Sequence, residues 1–184
     1  MQALTDNALM LKVKSGDLDK LGLLYERHKR RLFGFFYNMS GNASLSEDLV
    51  QNVFVRMLKY KHTFTGEGSF AAWMFRTARN VNHDHYRKHK RKNTLNDLTS
   101  IEYKLEDAAD LNVAMDRKDE VSQLNRAMQK LPREKREILI LSKYKEIKYS
   151  EIGEILGCSE GAAKVKTHRA LNDLRTIFLQ METR

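Results

Sequence analysis

The sequence predicts an all-α protein made of two small helical domains joined by a flexible acidic linker. One proline and nine glycines in 184 residues, with leucine, lysine, glutamate and arginine common, favour helices over strands. Apolar residues recur at three- to four-residue intervals over long stretches, which is the period of an α-helix. The net charge of +9 is unevenly placed, because two basic blocks flank an acidic one. These observations predict domains at 1–92 and 121–184 and a linker at 93–120.

The first two predicted helices are amphipathic and separated by a turn. One runs from Asp6 to Lys14 with Thr5 as its N-cap. Gly16 lies in the turn, and a longer helix follows to about Asn38. The apolar stripe predicted for the longer helix consists of Leu18, Leu21, Leu24, Tyr25, Leu32, Phe35 and Phe36.

The third predicted helix, residues 45–60, has one apolar face and one outward face. Ser44 and Glu47 stand three positions apart, which is the spacing of a capping box. The inward positions are Leu45, Leu49, Val53, Phe54, Met57 and Leu58. The outward positions are Asp48, Gln51, Asn52, Val55, Arg56 and Lys59.

A loop at residues 61–68 leads into the fourth predicted helix. Its glycines and its hydroxyl-bearing residues predict an irregular, mobile segment. Ser69 is the predicted N-cap of a helix that reaches Lys92 and buries Phe70 and Trp73. The opposite face carries Arg76, Arg79, Asn80, His83 and Arg87.

This basic face and the neighbouring loop suit a nucleic-acid strand. Cationic side chains neutralise phosphates, and amide side chains pair with base edges. Phe64 is the candidate for stacking on a base, because it lies in a polar loop and not on an apolar stripe. The alternative is a solvated basic helix face with no ligand.

Residues 93–120 differ in character from both flanking segments. They contain turn formers, little periodicity and an excess of carboxylates. We therefore expect a flexible linker with one short helix near its end.

The C-terminal segment predicts a helix-turn-helix. Helical periodicity returns at Val121, and Pro132 suits the first position of a helix. A short helix at residues 149–156 is followed by Gly157, which suits a tight turn, and by Ser159 as a new N-cap. The last helix turns Ala163, Thr167, Ala170, Leu171, Leu174 and Phe178 inward. Its outward positions are Glu160, Gly161, Lys164, Val165, His168 and Arg169.

Such a helix fits the major groove of DNA, where side chains near its N-terminus reach base edges. Lys164 and Arg169 are suited to phosphate or guanine. The alternative is a helical hairpin whose basic face is only solvated.

Three motifs in this order resemble those of the extracytoplasmic-function sigma factors of bacterial RNA polymerase. Residues 47–54, Glu-Asp-Leu-Val-Gln-Asn-Val-Phe, are similar to the helix with which that family binds polymerase. Residues 69–80 are similar to its promoter-melting helix, and residues 131–170 to its C-terminal DNA-binding domain. Val165 stands where the family often has a small or polar residue, so the promoter preference is not inferred from the resemblance.

The resemblance implies a role for each outward face. Binding to the clamp helices of the polymerase β′ subunit would fall to Asp48, Gln51, Asn52 and Val55. The melted minus-ten element, with one base flipped into a pocket, would contact Lys61, Phe64, Arg76, Arg79, Asn80, His83, Asp84, Arg87 and Lys88. The minus-thirty-five element, as duplex, would contact Ser159, Glu160, Gly161, Lys164, Val165, His168 and Arg169. The resemblance also implies contact with the β flap, a linker that follows the RNA channel, and control by an anti-sigma factor.

No catalytic arrangement is recognisable in the sequence. It contains no Ser/His/Asp set, P-loop or zinc-ligand cluster, so we expect no enzyme activity, no cofactor and no bound metal. No apolar run approaches the length of a membrane span, and the single Cys158 fits a reducing compartment. A cytoplasmic protein that is associated with the nucleoid in its working state is therefore expected.

Three alternatives belong to other classes of protein. A helix-turn-helix regulator that does not join polymerase predicts a dimer and a palindromic site. An RNA-binding helical protein would use the basic residues 87–92, and an interaction protein would use its basic faces for an acidic partner. Co-purification with core polymerase separates a sigma factor from these alternatives.

Overall fold

A computed structural model of the chain describes residues 4–95, 115–143 and 147–182. The chain divides into two compact units, residues 1–36 with 44–105 and residues 37–43 with 106–184. The described residues form α-helices and one short 3-10 helix and contain no strand, which confirms the all-α prediction. None of the helices in these ranges combines the length and the apolar character needed to span a bilayer.

Among the described residues, four helices contribute to the first unit. They are α1 (Asp6–Ser15), α2 (Asp19–Ser40), α3 (Ala43–Lys59) and α4 (Phe70–Leu95), with a 3-10 helix at Lys61–Thr63. Thr5 caps α1 as predicted, because its side chain accepts a hydrogen bond from the Ala8 amide. Ser69 caps α4 as predicted, with its hydroxyl 3.1 Å from the Ala72 amide nitrogen. The capping box predicted at Ser44 and Glu47 is wrong, since α3 already begins at Ala43.

The core of the first unit is aromatic and aliphatic. Among its fully buried side chains are Leu9, Met10, Val13, Leu24, Leu32, Phe35, Phe36, Met57, Met74 and Phe75. Leu18 was expected in this core but is 49% exposed, because it precedes α2 in the turn and is not on the stripe. The sequence pattern missed His28, which is 3% exposed on α2 and has its Nε2 2.7 Å from Oδ2 of Asp6 on α1.

The second unit contains the other four helices seen in the described part of the chain. They are α5 (Met115–Lys130), α6 (Arg133–Ser142), α7 (Tyr149–Leu156) and α8 (Glu160–Glu182). Helical structure therefore extends into both ends of the predicted linker, since α4 ends at Leu95 and α5 begins at Met115. The middle of that predicted flexible linker, residues 96–114, lies outside the described residues.

Small and apolar side chains hold the second unit together. The buried set includes Ala127, Leu131, Ile138, Leu141, Ile152, Ile155, Ala163 and Ala170. Val121 and Leu171, two residues of the predicted stripes, are more than half exposed. Pro132 is the N-cap of α6 and thus lies one position before the predicted one. At the end of α5, the Arg136 guanidinium donates to the Met128 carbonyl at 2.8 Å and to the Leu131 carbonyl at 3.0 Å, which satisfies carbonyls that a helix end leaves open.

Candidate nucleic-acid interfaces

The turn between α7 and α8 is set by two glycines with different roles. Gly157 ends α7 with φ of 70°, a left-handed conformation that favours glycine. Gly153 is required for close approach, because a Cβ there would lie 2.6 Å from the Cys158 carbonyl oxygen. The Ser159 hydroxyl, 3.2 Å from the Ala162 amide nitrogen, caps α8 at the predicted position. Together these residues fix the direction in which α8 leaves the turn.

One face of α8 is exposed over its first turns. Ala163 and Ala170 are fully buried, and Thr167 between them is half-buried. The opposite side exposes every residue that the sequence assigned to duplex DNA: Ser159, Glu160, Gly161, Lys164, Val165, His168 and Arg169. Val165 is 50% exposed, so an apolar surface lies between the charged side chains.

Lys164 has local partners that a DNA phosphate can replace. Its Nζ lies 2.6 Å from Oε1 of Glu160 one turn earlier and 5.9 Å from the ring centroid of Tyr149. Both members of the ion pair are at least half exposed, so breaking it costs no more than about 1 kcal/mol. The lysine is therefore oriented along the exposed face without being locked there.

A second exposed row lies on α4. Arg76, Asn80, His83 and Arg87 follow one another at intervals of three or four residues, and all four are exposed. Lys88 is also exposed, whereas Arg79 is half-buried. The row therefore offers cations on both sides of an amide and an imidazole, over about three turns of helix.

Asp84 does not belong to this open row. Its Oδ2 accepts a hydrogen bond of 2.7 Å from Arg56 on α3, and its Oδ1 lies 3.0 Å from Arg87 Nη2. The hydrogen bond from Arg56 lowers the pKa of Asp84, against the opposing effect of partial burial. Both carboxylate oxygens are thus engaged within the protein. Asp84 therefore ties α4 to α3, and its place in a base pocket stays a prediction.

The stacking role predicted for Phe64 is corrected by its burial. Its side chain is only 1% exposed, with its ring centroid 5.2 Å from that of Trp73 and 6.2 Å from that of Phe70, both in edge-to-face geometry. A base cannot stack on a ring that is covered on all sides. The polar sequence around Phe64 suggested exposure, but burial of one aromatic ring is what anchors a short polar loop to its domain.

The 61–68 loop was predicted to be mobile, but hydrogen bonds join it to α1 at four of its residues. The Asn7 side chain donates to the carbonyls of Gly66 at 3.1 Å and Gly68 at 2.9 Å. The Lys14 ammonium donates to the Phe64 carbonyl at 2.6 Å, and the Lys61 ammonium to the Val13 carbonyl at 3.3 Å. Sequence reasoning missed Asn7 and Lys14, because their partners lie 50 to 61 residues away and leave no local pattern. Lys61, assigned to DNA, faces α1 through its ammonium.

The outward face of α3 is the third candidate surface. Asp48, Gln51 and Asn52 are exposed, and Val55 is 65% exposed on the same side. A cavity of about 400 Å³ lies beside this face, where α2 and α3 meet. Its lining residues are Tyr25, Lys29, Arg30, Phe33, Glu47, Val50 and Gln51. The sequence pattern missed the contribution of α2, for which only the apolar stripe was assigned a role.

A metal site is not suggested by this arrangement. Within residues 4–95, 115–143 and 147–182, no three side chains of the histidine, cysteine or carboxylate type are grouped so that they could hold a metal ion.

Two family models match separate parts of the chain. Residues 24–92 match sigma-70 region 2, and residues 122–174 match sigma-70 region 4. The first match includes the exposed rows of α3 and α4, and the second includes the exposed face of α8.

Individual proteins resemble the chain over nearly its whole length. The extracytoplasmic-function RNA polymerase sigma factor SigF of Caulobacter vibrioides is 34% identical over 91% of this chain and 90% of its own length. The RNA polymerase sigma factor CarQ of Myxococcus xanthus is 29% identical over 94% of this chain and 97% of its own. The solved structure of the sigma factor RpoE of Bartonella quintana with the anti-sigma factor NepR matches 85% of this chain and 94% of its own, with 24% identity and a TM-score of 0.72. That structure indicates a shared fold.

Proposed function

Because the chain belongs to the extracytoplasmic-function sigma factors of bacterial RNA polymerase, we propose that its three exposed faces divide promoter recognition among them. A sigma factor confers promoter specificity on the core polymerase and promotes DNA melting, and it is not itself an enzyme. The observation that supports this division is that the three assigned sets lie on different helices, with all their members except the half-buried Arg79 and Asp84 exposed on the side opposite to the buried one.

The α3 face is the proposed contact with the β′ clamp helices. Asp48, Gln51 and Asn52 offer a carboxylate and two amides around the exposed Val55, a mixture typical of protein interfaces. The adjoining cavity is large enough to receive a side chain of the partner. Lys29 and Arg30 in its wall favour an acidic or carbonyl-bearing group.

The α4 row is the proposed contact with the melted minus-ten strand. Arg76, Arg79, Arg87 and Lys88 would neutralise phosphates, while Asn80 and His83 would read a flipped base beside the 61–68 loop. Extruding a base costs a few kcal/mol, and stacking and pocket contacts return about 1–3 kcal/mol per base. Phe64 supports this surface from below and is not assigned to DNA, whereas Asp84, about one-third exposed beside Arg87, remains a candidate for the pocket.

The α8 face is the proposed contact with the minus-thirty-five duplex. Its N-terminal turns carry Lys164 and Arg169 for phosphate or guanine, with Val165 positioned for a thymine methyl group. Ser159, Glu160 and Gly161 begin the helix and lie at the edge of the groove in this arrangement.

Control by an anti-sigma factor is also part of the proposal. It is supported by the solved relative, which is bound to such a protein. A cytoplasmic location, with nucleoid association in the holoenzyme, follows from the site of bacterial transcription.

The assignment of the three faces to core polymerase, the minus-ten strand and the minus-thirty-five duplex can be tested with reconstituted holoenzyme. Core polymerase with the purified chain is used to select promoter fragments from genomic DNA, and run-off transcription from the selected promoters is then measured. Substitution of Asp48 and Gln51 by alanine should weaken binding to core polymerase. Lys164→Ala should weaken binding to promoter duplex, and Asn80→Ala should weaken binding to a fork template with an unpaired minus-ten strand.

Matched controls are available on neighbouring surfaces. Asp19 on α2 is exposed and acidic but lies outside the assigned set, so Asp19→Ala should leave core binding unchanged. Equal losses of core, fork and duplex binding in all three variants would contradict the division. If the wild-type chain selects no promoters and stimulates no specific initiation, the proposal as a whole is wrong.

A further inference from the structure

We propose that Asn7 on α1 is a positioning residue for minus-ten recognition, holding the 61–68 loop in the shape that receives the flipped base. The inference rests on the proposed role of α4 and its loop. It starts from the side-chain amide of Asn7, which donates two hydrogen bonds and accepts one. All three partners lie about sixty residues later in the chain.

The Asn7 amide joins the loop to the start of α4. Its Nδ2 donates to the carbonyls of Gly66 at 3.1 Å and Gly68 at 2.9 Å. Its Oδ1 accepts a hydrogen bond of 2.8 Å from the Phe70 amide, the first residue of α4. The relative position of the loop end and the first turn of α4 is therefore set by a residue of a third element.

The loop needs such a support because its own backbone is permissive. Gly66 has φ of 85° and Gly68 has φ of 74°, and glycine visits many conformations at little cost. Leu11 of α1 packs against Gly66, where a Cβ would lie 3.3 Å from either Leu11 Cδ atom. Without the Asn7 donors, the two glycine carbonyls would lose the contacts that select one conformation.

Helix α1, which carries Asn7, is itself held in place by buried side chains and by hydrogen bonds to α2. Leu9, Met10 and Val13 of α1 are fully buried. Asp6 accepts hydrogen bonds of 2.7 Å from both Arg27 and the buried His28 of α2. Partial burial alone would raise the pKa of Asp6, but these hydrogen bonds lower it below its usual value, so the carboxylate remains charged at neutral pH. Asn7 therefore holds the loop from a helix that is anchored next to it.

Preorganisation is the physical reason for a functional effect. A loop that is ordered before binding gives its full contact energy to the correct base, whereas a loose loop must be ordered by whichever base enters. A loose loop also adapts to the wrong base. Loss of Asn7 should therefore lower discrimination among bases more than it lowers general affinity for the strand.

Asn7→Asp isolates this role from a role in stability. The aspartate keeps an oxygen for the Phe70 amide, and a carboxylate is favoured near the N-terminus of a helix, so this hydrogen bond to the start of α4 is retained. It lacks both donors and turns an oxygen toward the carbonyls of Gly66 and Gly68. Lys14→Met removes the neighbouring tie to the Phe64 carbonyl, and Lys12→Met replaces an exposed lysine of the same helix that is outside these ties.

The test uses holoenzyme and fork templates in which each unpaired minus-ten base is replaced in turn. With the wild-type chain, at least one position should discriminate strongly among bases. For Asn7→Asp, discrimination at that position should fall about tenfold, the value of one or two lost hydrogen bonds, while binding to core polymerase and to the minus-thirty-five duplex stays unchanged. Amide hydrogen exchange should accelerate in residues 61–68. Lys14→Met should act in the same direction and Lys12→Met should have no effect.

Two results would overturn the inference. One is that Asn7→Asp discriminates among bases at the unpaired minus-ten position as strongly as the wild-type chain does. The other is a loss of core and duplex binding together with discrimination, which indicates a general folding defect. A wild-type chain with no base preference on the unpaired strand would instead refute the proposed role of α4, and this inference with it.

Discussion

Lys164 and Arg169 are the single residues whose contribution to DNA binding can be counted. If each contacts a phosphate, then Lys164→Ala and Arg169→Ala should each reduce the slope of log affinity against log salt by about 0.9, because one fewer counterion is released. The measurement is holoenzyme binding to promoter duplex between about 50 and 200 mM salt. Lys166→Ala is the matched control, because Lys166 is exposed on α8 but outside the assigned face. An unchanged slope in both variants would show that neither side chain contacts phosphate.

The interaction of Asp84 with Arg56 should make a contribution to folding stability that is lost in acid. Its pKa is lowered in the folded protein from the ordinary 3.8, so its stabilising effect is fully present above that value and is lost as the pH falls through the folded pKa. The difference in free energy of unfolding between the wild type and Asp84→Asn should be constant above about pH 5 and shrink below the ordinary pKa. It should not exceed about 1 kcal/mol, because Asp84 and Arg56 are each about one-third exposed.

Urea unfolding followed by the fluorescence of Trp73, the single tryptophan, measures this difference in the unit that contains the pair. Arg56→Met removes the largest cause of the pKa shift and should therefore remove the same acid-sensitive difference. An Arg56→Met variant that retains the full wild-type dependence would show that the effect does not depend on Arg56, which leaves Arg87 and Lys88 as its cause.

Single residues also show where a sequence is informative. The exposed positions of α8 follow from a 3.6-residue period and one N-cap, both of which are local properties. Phe64 and Asn7 are different, because the burial of Phe64 depends on how the loop folds its ring against Phe70 and Trp73, and the hydrogen bonds of Asn7 reach partners 59 to 63 residues away. Tertiary contacts of this kind leave no spacing in the sequence, so the support of the loop could not have been predicted.

The α7–α8 element depends on Gly153 more than on its other glycines. In Gly153→Ala the new Cβ would lie 2.6 Å from the Cys158 carbonyl and 3.3 Å from the Glu160 amide, both backbone atoms that cannot rotate away. We expect a loss of about 1–3 kcal/mol in the stability of the second unit and weaker binding to the minus-thirty-five duplex. Far-UV circular dichroism during urea unfolding of the full chain measures the first effect.

Gly161→Ala is the control for this element. Nothing lies within 4 Å of a Cβ at Gly161 and its φ is not positive, so alanine there should stabilise α8 by up to about 1 kcal/mol. Trp73 fluorescence, which reports the first unit, should be the same in both variants. Equal stability of Gly153→Ala and Gly161→Ala would show that the turn relaxes without cost.

At the scale of elements, helix existence was predictable and helix bounds were less so. The predicted starts of α1 and α8 were correct because Thr5 and Ser159 are side-chain caps with a clear local signature. The start of α3 was missed because Ser44 and Glu47 imitate a capping box inside a helix that already begins at Ala43. The short helix expected near the end of the linker corresponds to the first turns of α5, but its start at Met115 and its continuity with the helix at Val121 were not predicted, because acidic residues interrupt the apolar period there.

For the whole molecule, the division into two compact units predicts independent contributions to promoter binding. Asn80 and Lys164 lie in different units and would contact different parts of the promoter, one unpaired and one duplex. The effects of Asn80→Ala and Lys164→Ala on the free energy of holoenzyme binding to a full promoter should therefore add to within about 0.5 kcal/mol in the double variant.

The pair of Glu160→Ala and Lys164→Ala provides the contrast, because these side chains are 2.6 Å apart and share one charge interaction. Their effects should deviate from additivity by about 0.5–1 kcal/mol, since Lys164 is released for phosphate when Glu160 is absent. A coupling between Asn80 and Lys164 as large as that of the contrast pair would mean that the two units recognise the promoter as one body.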